Sequence, residues 1–435
     1  MKRPTFPGGI HPPCMKLTSE NSIEEFPIPE YVIIPLQQHV GAPNQPVVKK
    51  GDRVFKGTLL GKTEKFISSP VFSSITGVVE EVGYFPHPVL RRGLAIRIRR
   101  DGEDILDSSL EPLPESERNS PDKLRDFIRD KGIVGMGGAA FPTHVKLTPP
   151  PGKKIDTLII NGAECEPYLT GDERLMIERG EEIIRGVEII DRIISPKRII
   201  FAIEDNKPEA IENIRKVREK YPRIELKVLP TKYPQGGEKQ LIKALLNREV
   251  PSGGLPFDVG VLVQNVGTVL AIFEAVYRGI PLIQRVVTIS GKVKKKGNFL
   301  MRLGTLVEDV LEFAGREGEG NLILTGGPMM GISLTDTRVP VIKGTTGILL
   351  LESKPLREYP CVRCGRCVDV CPMRLVPTQI MKLVKFGRIE ELRSFHPLDC
   401  IECGCCAYTC PSFIPLVHYI KTAKELLRRE KHGTG

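Results

Sequence analysis

Tryptophan is absent from this chain of 435 residues, and aromatic residues make up only 6% of it. Long apolar runs are missing too. The longest, at about residues 259–273, is interrupted by Gln264 and Asn265, and it is too short and too polar to cross a bilayer. The first residues lack the pattern of a secretory signal, so we expect a protein of the reducing cytoplasm with no membrane span of its own.

Charge is plentiful and unbalanced, with a formal net charge of +10. The basic residues are scattered and form no recognised nucleic-acid module, so we expect no nucleic-acid partner. The excess suits contact with an anionic membrane face or an acidic protein, and it equally suits a solvated surface rich in Lys and Arg.

Eight of the 11 cysteines fall in two short runs near the C-terminus. Each run reads C-x2-C-x2-C-x3-C and is followed by proline. This is the spacing of the two-cluster bacterial ferredoxins, in which the fourth cysteine of each run binds the other cluster. The pattern therefore predicts two 4Fe–4S clusters. The ligands of the first are Cys361, Cys364, Cys367 and Cys410, and those of the second are Cys400, Cys403, Cys406 and Cys371.

Other uses of these cysteines fit less well. A structural zinc site would be built from two C-x2-C pairs or from pairs with histidines. A chain of this length can bury a large core, so it has no need of disulfides. Cys405 is an extra cysteine beside Cys406, and we interpret it as a free thiol, with a ligand swap as the alternative.

The length predicts two to four domains, and the pattern along the chain changes several times. Residues 1–30 are rich in Pro and Gly, which predicts an extended docking arm. Residues 31–105 contain short strands and turns, and resemble the barrel-sandwich hybrid module of lipoyl and biotinyl domains. Lys62 and Lys65 lie near the attachment position of that module, but the flanking motif is missing, so we expect no covalent cofactor. Residues 101–120 have the composition of a linker.

The remaining chain predicts four further regions. In residues 121–283, apolar strands at 156–160, 198–203 and 225–229 alternate with amphipathic helices, which predicts a Rossmann-like α/β domain with a parallel sheet. In residues 284–350, the segment QRVVTISGKVKKKGNFLMRLGTLVEDVLEFAG predicts two strands around a glycine turn and then a helix that opens at Thr305. It resembles a β-grasp module of the soluble-ligand-binding type. Residues 355–415 form the two-cluster ferredoxin-like helical domain, and 416–435 a basic helix. The fold class is thus multidomain α/β and α+β.

A glycine-rich segment, GMGGAAFPTHVK at 135–146, is the second chemical signal. Gly135, Gly137 and Gly138 allow the backbone to approach a bound group closely, and successive N–H groups beside a helix start form an anion cradle. The spacing differs from the G-x-G-x-x-G dinucleotide motif. Taken alone, such a segment is more often a simple turn.

Three further turns carry polar residues at predicted strand ends, the usual position of site residues in open α/β sheets. The side chains concerned are Glu164, Glu166, Asp172 and Glu173 after the first strand, Glu238 after Gly236 and Gly237, and Asn265 with Thr268. Each turn could instead be a capped helix N-terminus. Together, four turns of this kind favour a shared pocket.

The order GxGGAxFPTxxK, NxxExEP, GxE and NVxT is similar to that of the NADH-oxidising flavoprotein subunit of respiratory complex I. The N-terminal FPGGIHPP, the segment GGPMMG at 326–331 and the fused two-cluster ferredoxin resemble, more closely, the C-subunit family of Rnf-type ion-translocating ferredoxin:NAD oxidoreductases. The resemblance covers essentially the whole chain.

The resemblance implies a pocket for FMN and NAD(H). Its predicted residues are Gly135, Gly137, Gly138 and Lys146 at the flavin phosphate or ring, Asn161, Glu164, Gly236, Glu238, Asn265 and Thr268 completing the pocket, and Phe141 near the nucleotide. The chain departs from the complex I pattern at Met136, Ala140, Ala163 and Gly237, which bears more on nicotinamide binding than on flavin binding.

The implied function is an NADH-oxidising or NAD-reducing subunit, peripheral on the cytoplasmic face of the inner (plasma) membrane. It would pass electrons from NAD(H), via FMN and two clusters, to partner subunits of an Rnf-type complex, including an iron–sulfur subunit that exchanges electrons with ferredoxin. No side chain need act as an acid or base, because the chemistry is the cofactor's. The alternatives are a non-catalytic iron–sulfur relay with a vestigial pocket, a diffusible dehydrogenase with a fused ferredoxin, and a cobalamin or other ligand-binding module.

Overall fold

The structure is a computed structural model that describes residues 4–353 and 356–433. The parts of the predicted arm, ferredoxin-like region and C-terminal helix at 1–3, 355 and 434–435 lie outside the described residues, as does residue 354. The strands of the N-terminal part are β1 (Ile23–Glu25), β2 (Tyr31–Pro35), β3 (Gln45–Pro46), β4 (Arg53–Val54), β5 (Leu59–Lys62), β6 (Val71–Phe72), β7 (Gly77–His87) and β8 (Arg91–Arg100).

Strands β2 to β8 form the predicted two-sheet β module. One antiparallel sheet has the order β2-β8-β7-β4 and the other β3-β5-β6. Apolar side chains such as Ile34, Leu60 and Ile96 are fully buried in the module. The alternation of apolar and polar residues along short strands therefore produces a packed sandwich.

The central region alternates helices and strands as predicted. Its elements are α1 (Pro121–Asp130), α2 (Thr143–Lys146), β9 (Thr157–Gly162), α3 (Gly171–Glu178), α4 (Gly180–Ile194), β10 (Arg198–Glu204), α5 (Pro208–Val217), β11 (Ile224–Leu229), α6 (Glu238–Leu246), β12 (Val261–Asn265) and α7 (Val266–Arg278). The four strands pair in parallel in the order β11-β10-β9-β12. All their carboxyl ends therefore lie along one edge of the sheet.

The third region is a mixed six-stranded sheet with one helix. Its elements are β13 (Gln284–Gly291), β14 (Gly297–Arg302), α8 (Val307–Ala314), β15 (Leu322–Thr325), β16 (Ile332–Leu334) and β17 (Gly347–Leu351). The sheet order is β1-β14-β13-β17-β15-β16, so β1 from the arm forms one edge and pairs in parallel with β14. We expected α8 to open at Thr305; it begins at Val307, after an extended Leu306.

The C-terminal region is helical. It contains α9 (Arg366–Asp369), α10 (Pro377–Lys385), α11 (Ile389–Leu392), α12 (Cys405–Tyr408) and α13 (Leu416–Gly433). The first three regions share one continuous apolar core, whereas this region has its own. A small group, including Ile10, Tyr233, Cys403 and Cys405, joins it to the α/β region. In the part of the chain that the structure describes, no helix combines the length and apolar character of a membrane span.

Candidate functional site

The predicted pocket residues gather at the carboxyl edge of the parallel sheet. Asn161 at the end of β9 and Asn265 at the end of β12 are partners in the strand register. The Asn161 amide donates to the Gly236 carbonyl at 2.9 Å, which fixes the turn before α6. The Asn265 side-chain oxygen accepts from the N–H groups of Gly267 and Thr268 and so caps α7.

The glycine-rich loop crosses this edge and is bonded to it. Its two sides are joined where the Gly135 N–H donates to the Phe141 carbonyl at 2.8 Å. The Met136 N–H donates to the Thr268 hydroxyl at 2.8 Å. The loop tip at 137–139 is exposed, and Gly138 has φ +119° with no atom within 4 Å of where a Cβ would lie. A bound group could therefore approach this backbone directly, as an anion cradle requires.

Lys146 follows the loop on α2 and reaches the same edge. Its ammonium donates to the Glu238 carboxylate at 2.6 Å and to the Val263 carbonyl at 2.7 Å, and both groups are only partly buried. Glu238 opens α6, directly after Gly236 and Gly237. A phosphate or ring oxygen in the pocket would thus meet a partly solvated cation with a carboxylate beside it.

Glu164 has a structural use that sequence reasoning counted only as an alternative. Its carboxylate oxygens accept from the backbone N–H groups of Asp172 at 2.9 Å and Glu173 at 3.2 Å, in the first turn of α3. The Asn265 amide donates in turn to the Asp172 carboxylate at 2.6 Å. Burial, and then the neighbouring Glu164, raise the pKa of Asp172 to about 7. The sheet edge is therefore one connected hydrogen-bond network.

Beside the glycine-rich loop lies a cavity of about 260 Å³ between α3, α7 and the neighbouring strands β1, β14 and β13. Met136 and Gly267 form part of its wall, so it adjoins the glycine-rich loop and the start of α7. The buried Arg285 guanidinium also lines it and donates to the Met136 carbonyl at 3.1 Å. Burial lowers the pKa of Arg285 to about 10. Sequence reasoning missed Arg285, which lies within a strand pattern that marks it only as a sheet residue.

The first predicted set of cysteines meets at one cavity. Cys361, Cys364, Cys367 and Cys410 all line a space of about 140 Å³, together with Thr378 and Lys382 among others. Cys410 thus comes from the second run to join three cysteines of the first, as the ferredoxin spacing predicts. The lining offers thiols and no carboxylate or imidazole, a donor set that suits iron–sulfur chemistry.

The second predicted set is more deeply placed. Burial raises the pKa of the Cys406 thiol, and the neighbouring Cys400, Cys403 and Cys371 raise it further. Cys403 and Cys406 are buried and Cys371 and Cys400 are half-buried. This set lies on the side of the region that faces the α/β domain, where Cys403 packs near Tyr233 and the Cys371 carbonyl faces Gly8.

The two cysteine runs adopt the same backbone conformation. Arg363 and Glu402, at matching positions, both have positive φ, and their N–H groups donate to the sulfurs of Cys361 at 3.4 Å and Cys400 at 3.3 Å. Such N–H···S bonds favour the thiolate that a cluster requires. Cys405 is fully buried, with its sulfur 4.0 Å from the Tyr233 carbonyl oxygen.

The ligand side chains of the described residues do not suit a single metal ion. Within residues 4–353 and 356–433, no three His, Cys, Asp or Glu side chains converge as they would around one metal ion. The first set of thiols instead surrounds the cavity of about 140 Å³, which suits a cluster. The second set, with the same spacing and the same loop conformation, fits a second cluster.

Tyr233 joins the second set of cysteines to the pocket, and sequence reasoning did not single it out. Its hydroxyl donates to the Cys403 carbonyl at 2.8 Å and lies 3.4 Å from the Glu166 carboxylate. Glu166 also accepts from the Met329 N–H, and burial raises its pKa. Met329 lies in the GGPMMG segment, so that motif serves to hold the loop that carries Glu164 and Glu166.

Four known domain families match successive parts of the chain. Residues 4–103 match the RnfC barrel sandwich hybrid domain, 128–274 the Nuo51 FMN-binding domain, 286–333 the SLBB domain and 360–414 a 4Fe-4S dicluster domain. The predicted barrel-sandwich, flavin, soluble-ligand-binding β-grasp and two-cluster regions are thereby confirmed at the level of domain family.

Full-length relatives agree. The chain is 48% identical to the C subunit of the proton-translocating ferredoxin:NAD(+) oxidoreductase complex of Clostridium ljungdahlii, over 97% of this chain and 93% of the relative. It is 43% identical to the Na(+)-translocating counterpart of Acetobacterium woodii, over 100% of this chain and 99% of the relative.

A solved structure shares the fold. An NAD+-reducing [NiFe]-hydrogenase in the H2-reduced state matches with a TM-score of 0.51 at 19% identity, over 66% of this chain and 60% of that one. From its relatives, the chain belongs to the C-subunit family of ion-translocating ferredoxin:NAD(+) oxidoreductase complexes.

Proposed function

We propose that this chain is the peripheral electron-transfer subunit of a membrane-bound ion-translocating ferredoxin:NAD oxidoreductase. It exchanges electrons between NAD(H), via FMN, and two 4Fe–4S clusters that serve a partner subunit. The observation that carries the proposal is the bridge that the Tyr233 hydroxyl forms between the loop of Cys403 and Glu166 of the pocket loop at 163–169. The names of the full-length relatives support the same reaction.

The roles of the pocket residues follow from the family resemblance, and their positions at the sheet edge support them. Gly135, Gly137, Gly138 and Lys146 would hold the phosphate or ring of FMN. Asn161, Glu164, Gly236, Glu238, Asn265 and Thr268 would shape the rest of the pocket for flavin and NAD(H), with Phe141 nearby. FMN, when bound, supplies the exchange between a hydride and two single electrons. The chain's own part is to position the nucleotide, since Glu164 and Asn265 rigidify the edge through their backbone bonds.

The two cysteine sets have different surroundings, and this gives them an order. Cys371, Cys400, Cys403 and Cys406 would hold the cluster nearer the flavin, because their region contacts Tyr233 and the pocket loop. Cys361, Cys364, Cys367 and Cys410 would hold the outer cluster, and Cys364 is exposed.

The surface around the outer set suits a protein partner. Val362 is 67% exposed, and Tyr359 and Phe413 lie exposed nearby, beside the basic Arg363 and Arg366. An acidic iron–sulfur subunit of the complex would complement this mixture of apolar and basic side chains. The cytoplasmic face of the membrane is the side on which NAD(H) and ferredoxin are available to such a complex.

The proposal is tested on protein purified and reconstituted without oxygen. About eight irons and one dissociable flavin per chain are expected, from two clusters of four irons each. NADH should bleach the cluster absorbance when FMN is present. Protein that holds the iron but binds no flavin and is not reduced by NADH would instead support the non-catalytic relay.

A further inference from the structure

The segment at residues 6–18, here termed the strap, lies across the second cysteine set and the pocket loop at once. We propose that the strap positions the loops that carry Cys371 and Cys403 against the pocket loop at 163–169, with Gly8 and Lys16 as the positioning residues. This inference rests on the proposed function, because it concerns electron exchange between flavin and inner cluster.

One end of the strap lies on the cysteine region without room for a side chain. Gly8 has φ +72°, and a Cβ on it would fall 2.7 Å from the Cys371 carbonyl oxygen and 2.9 Å from that of Val370. The Gly9 N–H donates to the Val370 carbonyl at 2.8 Å. Backbone therefore packs directly on the backbone of a predicted cluster ligand, and only glycine allows it.

The middle of the strap is paired with the Tyr233 segment. The N–H of Ile10 donates to the Tyr233 carbonyl at 2.8 Å, and the N–H of Tyr233 donates to the Ile10 carbonyl at 2.9 Å. Beside them, the Lys232 ammonium donates to the Phe6 carbonyl at 2.7 Å and lies 4.4 Å from the centre of the Phe6 ring. The same Tyr233 bonds Cys403 through its hydroxyl, so the strap and the cysteine loop share one partner.

The other end holds the pocket loop through one ammonium group. Lys16 donates to the carbonyls of Glu164 at 2.7 Å, Glu166 at 3.0 Å and Leu169 at 2.5 Å. These three carbonyls belong to one turn of chain, so a single cation fixes its shape. The Thr18 hydroxyl, 2.6 Å from that of Thr170, fastens the strap just beyond.

The strap matters because the two regions have separate cores. Besides the strap, they meet through a small apolar group and through polar contacts such as that of the Ser252 hydroxyl with the Asp399 carboxylate. Separate cores are free to shift relative to each other unless something ties them. From Gly8 to Lys16 the strap makes hydrogen bonds to the cysteine region and to the pocket loop. It therefore fixes the distance between the flavin pocket and the inner cluster, across which electrons must pass. The rate of electron exchange falls steeply as that separation grows.

The first experiment compares Gly8→Ala with Gly102→Ala in the full-length protein loaded with iron. Gly102 has a similar φ of +77° but nothing within 4 Å of a Cβ, so the control carries the backbone strain without the collision. We expect Gly8→Ala to shift the EPR spectrum and midpoint potential of one cluster and to slow its reduction by NADH about tenfold, as small misplacements do. Reduction of both clusters by dithionite should remain complete.

The second experiment replaces Lys16 by Met, with exposed Lys50→Met as the control. Lys16→Met should lower flavin retention and slow NADH-driven reduction while leaving the iron content unchanged. Hydrogen exchange on the wild-type protein adds a test without any variant. The Gly9 and Ile10 amides should be protected in the loaded protein, and should exchange faster once iron is chelated away.

Outcomes for the strap and for the proposed function are separable. Wild-type protein that binds no flavin would contradict the proposed function. The EPR spectra and the hydrogen-exchange measurements would still test the role of the strap. The proposed role of the strap is wrong if Gly8→Ala and Gly102→Ala have the same EPR spectrum, the same cluster midpoint potentials and the same rate of reduction by NADH. Unprotected Gly9 and Ile10 amides overturn it too, even where Gly8→Ala fails to fold.

Discussion

The Tyr233 hydroxyl lies between two oxygens that belong to different regions, the carbonyl of Cys403 at 2.8 Å and the carboxylate of Glu166 at 3.4 Å. Tyr233 is only 1% exposed, so these bonds lie away from water. Hydrogen bonds and local polarity around a cluster loop set its reduction potential. Tyr233 is thus placed to affect both the stability of the contact and the potential of the inner cluster.

Tyr233→Phe tests this relationship. The substitution keeps the ring and leaves the buried Cys403 carbonyl without its donor, which should cost about 1–3 kcal/mol of folding free energy. Thermal unfolding measures the loss of stability, and an EPR-monitored redox titration measures the change in the potential of the inner cluster. Tyr84→Phe is the matched control, because Tyr84 is 68% exposed. A Tyr233→Phe protein with wild-type stability and potentials would contradict the assignment.

The assignment of cysteines predicts which thiol is dispensable. Cys364→Ala should leave about four irons of about eight per chain, because only the outer cluster loses a ligand. Cys405→Ala should keep all of them, since Cys405 faces Tyr233 in a small apolar group. Iron analysis and EPR on anaerobic protein decide both. Loss of one cluster in Cys405→Ala would show that Cys405 is a ligand.

Sequence reasoning succeeded where the signal was local. The spacing of the cysteines predicted that Cys410 joins the set of Cys361, and both line the same cavity. The apolar runs at 198–203 and 225–229 predicted strands and correspond to β10 and β11. It failed where distant packing decides. Three-residue β1 pairs with the distant β14, and no local pattern marks Lys16 as the donor to three carbonyls about 150 residues away.

The pocket shows the same limit in another form. Glu164 and Asn265 were predicted at strand ends and lie there, but much of their bonding capacity serves the N-termini of α3 and α7. Residue type and position cannot separate a ligand contact from a helix cap, because the same oxygen serves either purpose. Binding measurements on variants are what separate them.

Lys146→Met tests the pocket directly. The lysine is the predicted cation at the flavin, and loss of a charged hydrogen bond costs about 1.5–3 kcal/mol, so FMN affinity should fall at least about tenfold. Flavin fluorescence on titration into flavin-free protein measures it. Lys154→Met, at an exposed position on the loop before β9, should bind FMN as the wild type does. Equal affinity in both variants would remove Lys146 from the pocket.

Lys343 predicts a dependence of stability on pH. Its fully buried ammonium donates to the Ser69 hydroxyl and to the carbonyls of Pro70 and Gly132, and burial lowers its pKa from 10.5 to about 7. Between these values the unfolded chain holds the proton and the folded chain does not, so stability should rise with pH. Lys343 contributes at most about 1.4 kcal/mol of stability per pH unit.

Thermal midpoints from pH 7 to 9 should therefore rise less steeply in Lys343→Met than in the wild type or in the exposed Lys50→Met control. Parallel curves for all three proteins would mean that Lys343 stays charged when folded, held by its three acceptors despite the cost of burial.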